Sequence, residues 1–389
     1  MPDFLTHADW TFPVPMRYGP GRLVEIGDFC VQNNIANPLI VTDRGSRDLP
    51  FIERVSDVCL ASKVQSVVFS DVSPNPTDQE IARGKRAFEE GRHDAVIAIG
   101  GGSGMDAGKA ISLVGCNDTD LWAFDYDHSE PPDLASESFV PLICVPTTAG
   151  TGAETESTAM LTDTEQGVKR CVWHAKQKPL LAVLDPELTL GLPADLTAWT
   201  GCDALVHAIE AYSVPDWNPL CDGLALEAIR LISGSLERAV AHGEDLEARG
   251  AMLVGSCLAG ISFLKGLGLV HAMSHMVGAV CDTHHGLTNA VLLPPVLLFN
   301  KSALVQRSPQ ISQAMGLLSQ DFEGMYSGVV ELLDTLEIPR GLSDLQVPEK
   351  NLHIIAEKAF TDAARSTNPV SSSVSEIREL LEVSFYKAR

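Results

Sequence analysis

The sequence has 389 residues, 45% of them hydrophobic and 20% charged. At about 150 residues per domain this makes two domains or three, and it excludes wholesale disorder. Lys and Arg number 28 against 51 Asp and Glu, a net charge of −23. That balance repels phosphate backbones and anionic lipid, so nucleic-acid and membrane partners are not expected. Small metabolites stay open, because one local cluster reverses the field within a cleft.

The N-terminus, MPDFLTHADWTFPVP, lacks the basic start and apolar run of a signal peptide. No stretch reaches the roughly 20 uninterrupted apolar residues of a membrane span. The nine cysteines run from Cys30 to Cys281 without a CxxC pair, which fits reduced thiols better than a disulfide framework or a cysteine zinc site. A soluble cytoplasmic protein is expected.

In chain order, 38–42 (PLIVT), 94–99 (DAVIAI), 140–145 (VPLICV) and 180–184 (LLAVL) read as buried strands flanked by Gly, Pro or Asp. Residues 78–91 and 105–115 carry helical spacing between them. Strands alternating with helices predict an α/β domain with a mostly parallel sheet covered on both faces. After Asp185-Pro186 the period changes to three and four residues. Pro193-Ala194-Asp195 reads as a helix start and 222–241 as a long amphipathic helix. The expected division is an α/β domain over 1–187 and an all-α domain over 188–389. The Ser-rich stretch 366–376 reads as a loop leading into the last helix.

Ile97-Ala98-Ile99 runs into Gly100-Gly101-Gly102-Ser103-Gly104-Met105-Asp106-Ala107. A strand feeding glycines and then a helix lets backbone N–H groups approach a phosphate, and the spacing is not that of a Walker loop. A tight strand-to-helix turn is the alternative. Asp43 ends an earlier strand, a position where a carboxylate accepts ribose hydroxyls and repels a 2′-phosphate, favouring NAD over NADP. A turn or cap Asp is the other reading. Because this acid precedes the glycine turn, the order is the reverse of the usual Rossmann fingerprint. Pro146-Thr147-Thr148-Ala149-Gly150-Thr151-Gly152 supplies a second cluster of hydroxyls and glycines after a strand.

Eleven histidines spread evenly would put about 0.4 in a 15-residue window, yet 271–285 holds His271, His275, His284 and His285. Asp203 and His207 are four apart in GCDALVHAIEAY, and so are His271 and His275, so each pair projects from one helix face. Imidazoles and a carboxylate suit a divalent first-row metal such as Fe(II), Zn(II) or Mn(II). Spacing alone leaves open which imidazoles coordinate.

Four segments in this order, GGGSGMDAGKAI, PTTAGTGAE, GCDALVHAIEAY and GLGLVHAMSHMVGAVCDTHHGLTNAVLLP, resemble the iron-containing (group III) alcohol dehydrogenase family. The resemblance spans nearly the whole chain. It implies a dehydroquinate synthase-like architecture, with a Rossmann-like nucleotide-binding domain, a helical metal-binding domain, NAD(P) bound between them, and a homodimer or larger assembly. By motif position, the family's metal ligands fall on Asp203, His207, His271 and His285, the last because the family's final histidine directly precedes Gly. His275 matches a histidine beside the nicotinamide. Cofactor contacts fall on Asp43, Gly101, Gly102, Ser103, Asp106, Thr147, Thr148 and Lys169.

Three departures stand out: Glu156 where many members carry Thr or Asn, a shorter run at Phe263–Gly268, and Asn368-Pro369-Val370 where the family has Asn-Pro-Arg. The implied chemistry is Lewis-acid polarisation of a small alcohol or carbonyl substrate with hydride exchanged at the nicotinamide. His275 either relays a proton or orients the pocket. Lys265 is either a solvated lysine or a pocket group pairing with a substrate carboxylate. The rival functions are a transhydrogenase recycling its cofactor between a hydroxy acid and an oxo acid, and a metal- or nucleotide-binding regulator without turnover.

Overall fold

The computed structural model describes residues 8–10, 14–128, 130–386 and 389. Most of the N-terminal stretch read above for a leader lies outside them. The described chain separates into two compact units, the first reaching Thr148 and resuming over Ala153–Leu190, the second comprising Ala149–Gly152 and Gly191–Arg389.

The first unit is built on nine strands: β1 (Ala8–Trp10), β2 (Met16–Tyr18), β3 (Pro38–Val41), β4 (Val67–Phe69), β5 (Ala95–Gly100), β6 (Leu142–Pro146), β7 (Thr158–Asp163), β8 (Val168–Trp173) and β9 (Leu181–Leu184). Seven form one sheet in the order β1-β2-β9-β6-β5-β3-β4, parallel throughout except for β1. Four helices accompany it, α1 (Ile26–Gln32), α2 (Pro50–Ala61), α3 (Asp78–Glu90) and α4 (Gly102–Val114). The α/β class expected from the strand–helix alternation is what the sheet shows.

The pleat explains the near-continuous apolar strands. On β5, Ala95, Ile97 and Ile99 join a core with Ile26 and Cys30 of α1 and Val55 of α2. The intervening Val96 and Ala98 join another core with Ile81 of α3 and Ile111 of α4. Both faces are buried, so both sets of alternate residues must be apolar. The antiparallel hairpin β7–β8 was not expected. Its exposure alternates along Thr158–Asp163, but Met160 stands on the more exposed side and Asp163 on the buried side, so the sequence lacks the apolar–polar alternation that marks a strand.

The second unit is helical: α5 (Ala194–Ser213), α6 (Pro219–Ala241), α7 (Leu246–Ser262), α8 (Leu269–Cys281), α9 (His285–Phe299), α10 (Lys301–Leu304), α11 (Ser308–Ala314), α12 (Phe322–Thr335), α13 (Leu352–Phe360) and α14 (Val374–Tyr386). From Gly201 to Ser213 every residue of α5 is buried, so it is the unit's central helix. Among the described residues one helical stretch, Leu246–Lys265, is long and apolar enough to cross a membrane by length and composition alone, although charged residues interrupt it. It is mostly buried among the other helices and carries Glu247 and Arg249. All nine cysteines are free thiols.

Candidate metal centre and nucleotide-binding turn

Three helices of the second unit converge their polar side chains. Helix α5 carries Asp203 and His207 one turn apart, α8 carries His271 and His275 likewise, and α9 begins at His285. Asp203, His207, His271 and His285 each offer one ligand atom, and these four atoms lie within 4.8 Å of one another. The His207 and His271 rings stack at 4.4 Å, and His285 Nε2 lies 3.6 Å from Asp203 Oδ1. His284 turns elsewhere. It caps α9 by accepting from Leu287 N–H and packs on Trp199 with ring centroids 5.1 Å apart.

Gly286 makes the approach of α9 to α5 possible. A Cβ at this position would stand 2.4 Å from the Trp199 carbonyl oxygen and 2.9 Å from Asp203 Cβ. Its backbone is helical, so the requirement is space, not conformation.

A layer of supporting groups fixes the rings. Helix α8 has no cap from its own N-cap residue, Gly268. Glu210 of α5 supplies one by accepting from Gly268 N–H at 3.1 Å and Val270 N–H at 2.8 Å. The same carboxylate accepts the His271 Nδ1 proton at 2.6 Å, leaving Nε2 with its lone pair. Burial holds the His271 ring well below the usual imidazole pKa, with the neighbouring His207 adding to the effect, so His271 is neutral and able to coordinate. Burial also pushes the Glu210 carboxyl up to about 7, against the opposing pull of its N–H donors. His285 Nδ1 lies 3.1 Å from Ser274 Oγ, and His275 Nδ1 donates to Asp362 at 2.9 Å. One His207 nitrogen, Nδ1, is buried with no hydrogen-bond partner. One carboxylate and three imidazoles converging on one point fit a divalent first-row cation.

In the first unit the chain order explains where a ligand would lie. From β3 the chain runs outward to edge strand β4, and from β5 it runs the other way to β6, so the crevice beyond β3 and β5 is a topological switch point. Asp43 stands at the end of β3 against the glycine turn that ends β5. A Cβ on Gly100, whose φ is +147°, would meet Asp43 Oδ2 at 3.4 Å, and one on Gly104 would meet the Asp43 backbone nitrogen at 3.3 Å. Helix α4 starts at Gly102 without a side-chain cap, so its first-turn N–H groups are available to an anion. Thr147 follows β6 and donates its N–H to the Gly100 carbonyl at 2.9 Å. A Cβ on Gly101 would meet Thr148 Cγ2 at 3.3 Å. These are the features of a phosphate cradle, and they fit a dinucleotide. Asp43 also accepts from Ser46 N–H and Oγ–H, so the turn-capping reading holds as well.

The models for "Iron-containing alcohol dehydrogenase" and "Fe-containing alcohol dehydrogenase family, C-terminal" match residues 13–186 and 197–385. The chain belongs to the iron-containing alcohol dehydrogenase family. It is 36% identical over 374 residues to the NAD-dependent methanol dehydrogenase of Bacillus methanolicus, covering 94% of this chain and 96% of that protein. It is 34% identical over 386 residues to the 1,3-propanediol dehydrogenase of Citrobacter freundii, covering 97% and 98%. The crystal structure of a 1,3-propanediol oxidoreductase superposes with a TM-score of 0.90 at 34% identity, covering 98% of this chain and all of that one. Membership sets the reaction class, alcohol–carbonyl oxidoreduction.

Against this family background the departures acquire structural meanings. Glu156 lies 3.8 Å from Lys109, a lysine with 1% side-chain exposure that also donates to the Thr158 carbonyl. Asp106 accepts from the Met160 N–H and is pushed up to about 7, first by burial, with Lys109 and Lys169 opposing and Glu156 reinforcing. Asp106 therefore ties α4 to β7, whatever it does toward a ligand. Asn368 caps α8 at Leu269 N–H and exchanges hydrogen bonds with Asn300, while Val370 lends its carbonyl to the Asn368 amide.

Lys265 is neither solvated nor available to a substrate. Its ammonium is 2.6 Å from Asp222, with 1% side-chain exposure, so its charge is spent within the helical unit. Sequence reading missed Glu210, Asn289 and Asp362. Glu210 falls on the face of Asp203 and His207, at i+7 and i+3, and that register was visible. Asn289 repeats the same signal one turn beyond His285. Asp362 lies 87 residues from His275 in the chain and has no local signal.

Proposed function

We propose that this iron-type dehydrogenase interconverts a small alcohol or diol and its aldehyde or ketone with NAD, holding Fe(II), or alternatively Zn(II) or Mn(II), on Asp203, His207, His271 and His285. The convergence of those four donor atoms within 4.8 Å carries the reading. A cation held there supplies Lewis acidity toward a substrate oxygen. The NAD assignment is supported by the Asp43 carboxylate, which favours a free ribose hydroxyl and repels a 2′-phosphate, and by the NAD dependence in the name of the methanol dehydrogenase relative.

Each residue group has a part. Gly101, Gly102 and Ser103 offer backbone N–H groups to the cofactor phosphates, and Thr147, Thr148, Asp106 and Lys169 surround the cofactor further along. Glu210 orients His271. His275 has its Nδ1 proton committed to Asp362, which leaves Nε2 to exchange a proton with the reacting oxygen or with solvent. In this reading residues 1–187 bind the dinucleotide, residues 188–389 bind the metal, and the protein works in the cytoplasm as a homodimer or larger homo-oligomer.

The test is reconstitution of metal-stripped protein with each cation, followed by NADH- and NADPH-dependent reduction of short aldehydes, semialdehydes and hydroxyketones. Turnover with NADH that needs the cation and is lost in His271→Ala supports the proposal. Full turnover after exhaustive chelation would overturn it.

A further inference from the structure

Asn289 lies one helical turn beyond His285 on α9 and is fully buried. Its amide nitrogen is 2.7 Å from Asp203 Oδ1, 3.1 Å from His285 Nε2 and 3.2 Å from His271 Nε2. Three of the four atoms of the metal centre therefore converge on one NH2 group.

The directions of these bonds follow from the neighbours. His271 gives its Nδ1 proton to Glu210, so its Nε2 is an acceptor. Ser274 Oγ lies 3.1 Å from His285 Nδ1 and donates to the His285 carbonyl at 3.3 Å. The Asn289 NH2 group only donates and lies 3.1 Å from His285 Nε2, so that Nε2 is the acceptor of the contact. An NH2 group has two hydrogens and here faces three acceptors, so one lone pair is always unserved. The other end of the same amide, Oδ1, is buried without a partner. A buried amide left half satisfied is destabilising by itself. The amide is instead placed where it reaches the Asp203 carboxylate from beside His271 and His285.

We propose that Asn289 is a positioning residue of the metal centre: its side-chain N–H orients the Asp203 carboxylate for the cation without coordinating it, while its contacts to His271 and His285 Nε2 belong to the cation-free protein. Asp203 has lone pairs to spare for both an N–H and a cation, so that hydrogen bond persists in the loaded protein. The two imidazoles exchange the amide for the cation. Asn289 thus acts on affinity and on selectivity among cations, since a carboxylate held from outside cannot swing to suit a larger ion. This inference rests on the metal reading above.

The experiment measures Zn(II) affinity by chelator competition and the Co(II) electronic spectrum of purified full-length protein. Variants are Asn289→Leu and His271→Ala, with Val291→Ala as a buried control on the same helix. Asn289→Leu is expected to bind Zn(II) about 10- to 100-fold more weakly, with the ligand-field bands of bound Co(II) unchanged in number and intensity. Val291→Ala is expected to lower the melting temperature and leave affinity alone. Should Asn289→Leu fail to fold, Asn289→Ala, which only removes atoms, carries the same comparison.

Wild-type affinity in the Asn289 variant would overturn the inference while leaving the metal site intact. A change of Co(II) coordination number in that variant would overturn it also, because Asn289 would then be a direct ligand. Failure of the wild type to bind either cation, or wild-type affinity in His271→Ala, would instead sink the metal reading itself.

Discussion

Glu210 Oε2 lies 2.6 Å from His271 Nδ1, and the same carboxylate closes the open N-terminus of the helix on which His271 stands. One side chain of α5 therefore sets both the position of α8 and the tautomer of its first histidine. Replacing Glu210 by Gln keeps the shape but removes the charge and one acceptor role. Metal affinity is expected to fall about 10- to 100-fold, measured by chelator competition, with a lower melting temperature from the weakened cap. Unchanged affinity would show that His271 needs no orienting partner.

The approach of α9 to α5 has its own test. In Gly286→Ala the new methyl would press on the Trp199 carbonyl and on Asp203 Cβ. Overpacking of this kind costs about 1–3 kcal/mol, and here it also moves His285 away from Asp203. Thermal unfolding and metal content are expected to fall together. Gly223→Ala, with no atom within 4 Å of the added Cβ, is expected to leave metal content unchanged and to be neutral or stabilising in thermal unfolding.

Asp362 holds His275 from a turn far along the chain, and its Oδ1 also caps the backbone at Ala364. Asp362→Asn leaves a group that either donates to or accepts from the ring, so the Nδ1-protonated form is no longer enforced. We expect kcat to fall about 100-fold or more with little change in metal content, and the pH–rate profile to change shape. An unaltered profile would assign His275 to packing.

Glu154 in the first unit has 2% exposure, and burial pushes its carboxyl up to about 7. Because the folded value exceeds the ordinary 4.5, the protonated form favours the fold. That contribution is full at acid pH and is lost as the pH rises through 7. Glu154→Gln cannot ionise. Its melting temperature relative to wild type is therefore expected to climb between pH 5 and pH 8, by the equivalent of at most about 3 kcal/mol. A gap that stays constant across that range would mean that Glu154 ionises normally.

The linear chain carried a great deal of this. Apolar runs flanked by turn residues marked β3, β5, β6 and β9, because strands buried on both faces must be apolar throughout. The i, i+4 pairs Asp203–His207 and His271–His275 announced helices with one polar face, since helical periodicity is a local property. The glycine turn and Asp43 each carried a local signature as well.

Tertiary structure decided what neighbours across space decide. It turned His284 to cap α9 and brought His285 beside Asp203, although the two histidines are adjacent in sequence. It buried Lys265 against Asp222, where sequence reading had weighed solvent or substrate. It joined His275 to Asp362, and Asp203 to Asn289, across 87 and 86 residues of chain. Periodicity reports which face of an element is polar, whereas a buried hydrogen bond depends on which two faces meet, and only the packed helices determine that.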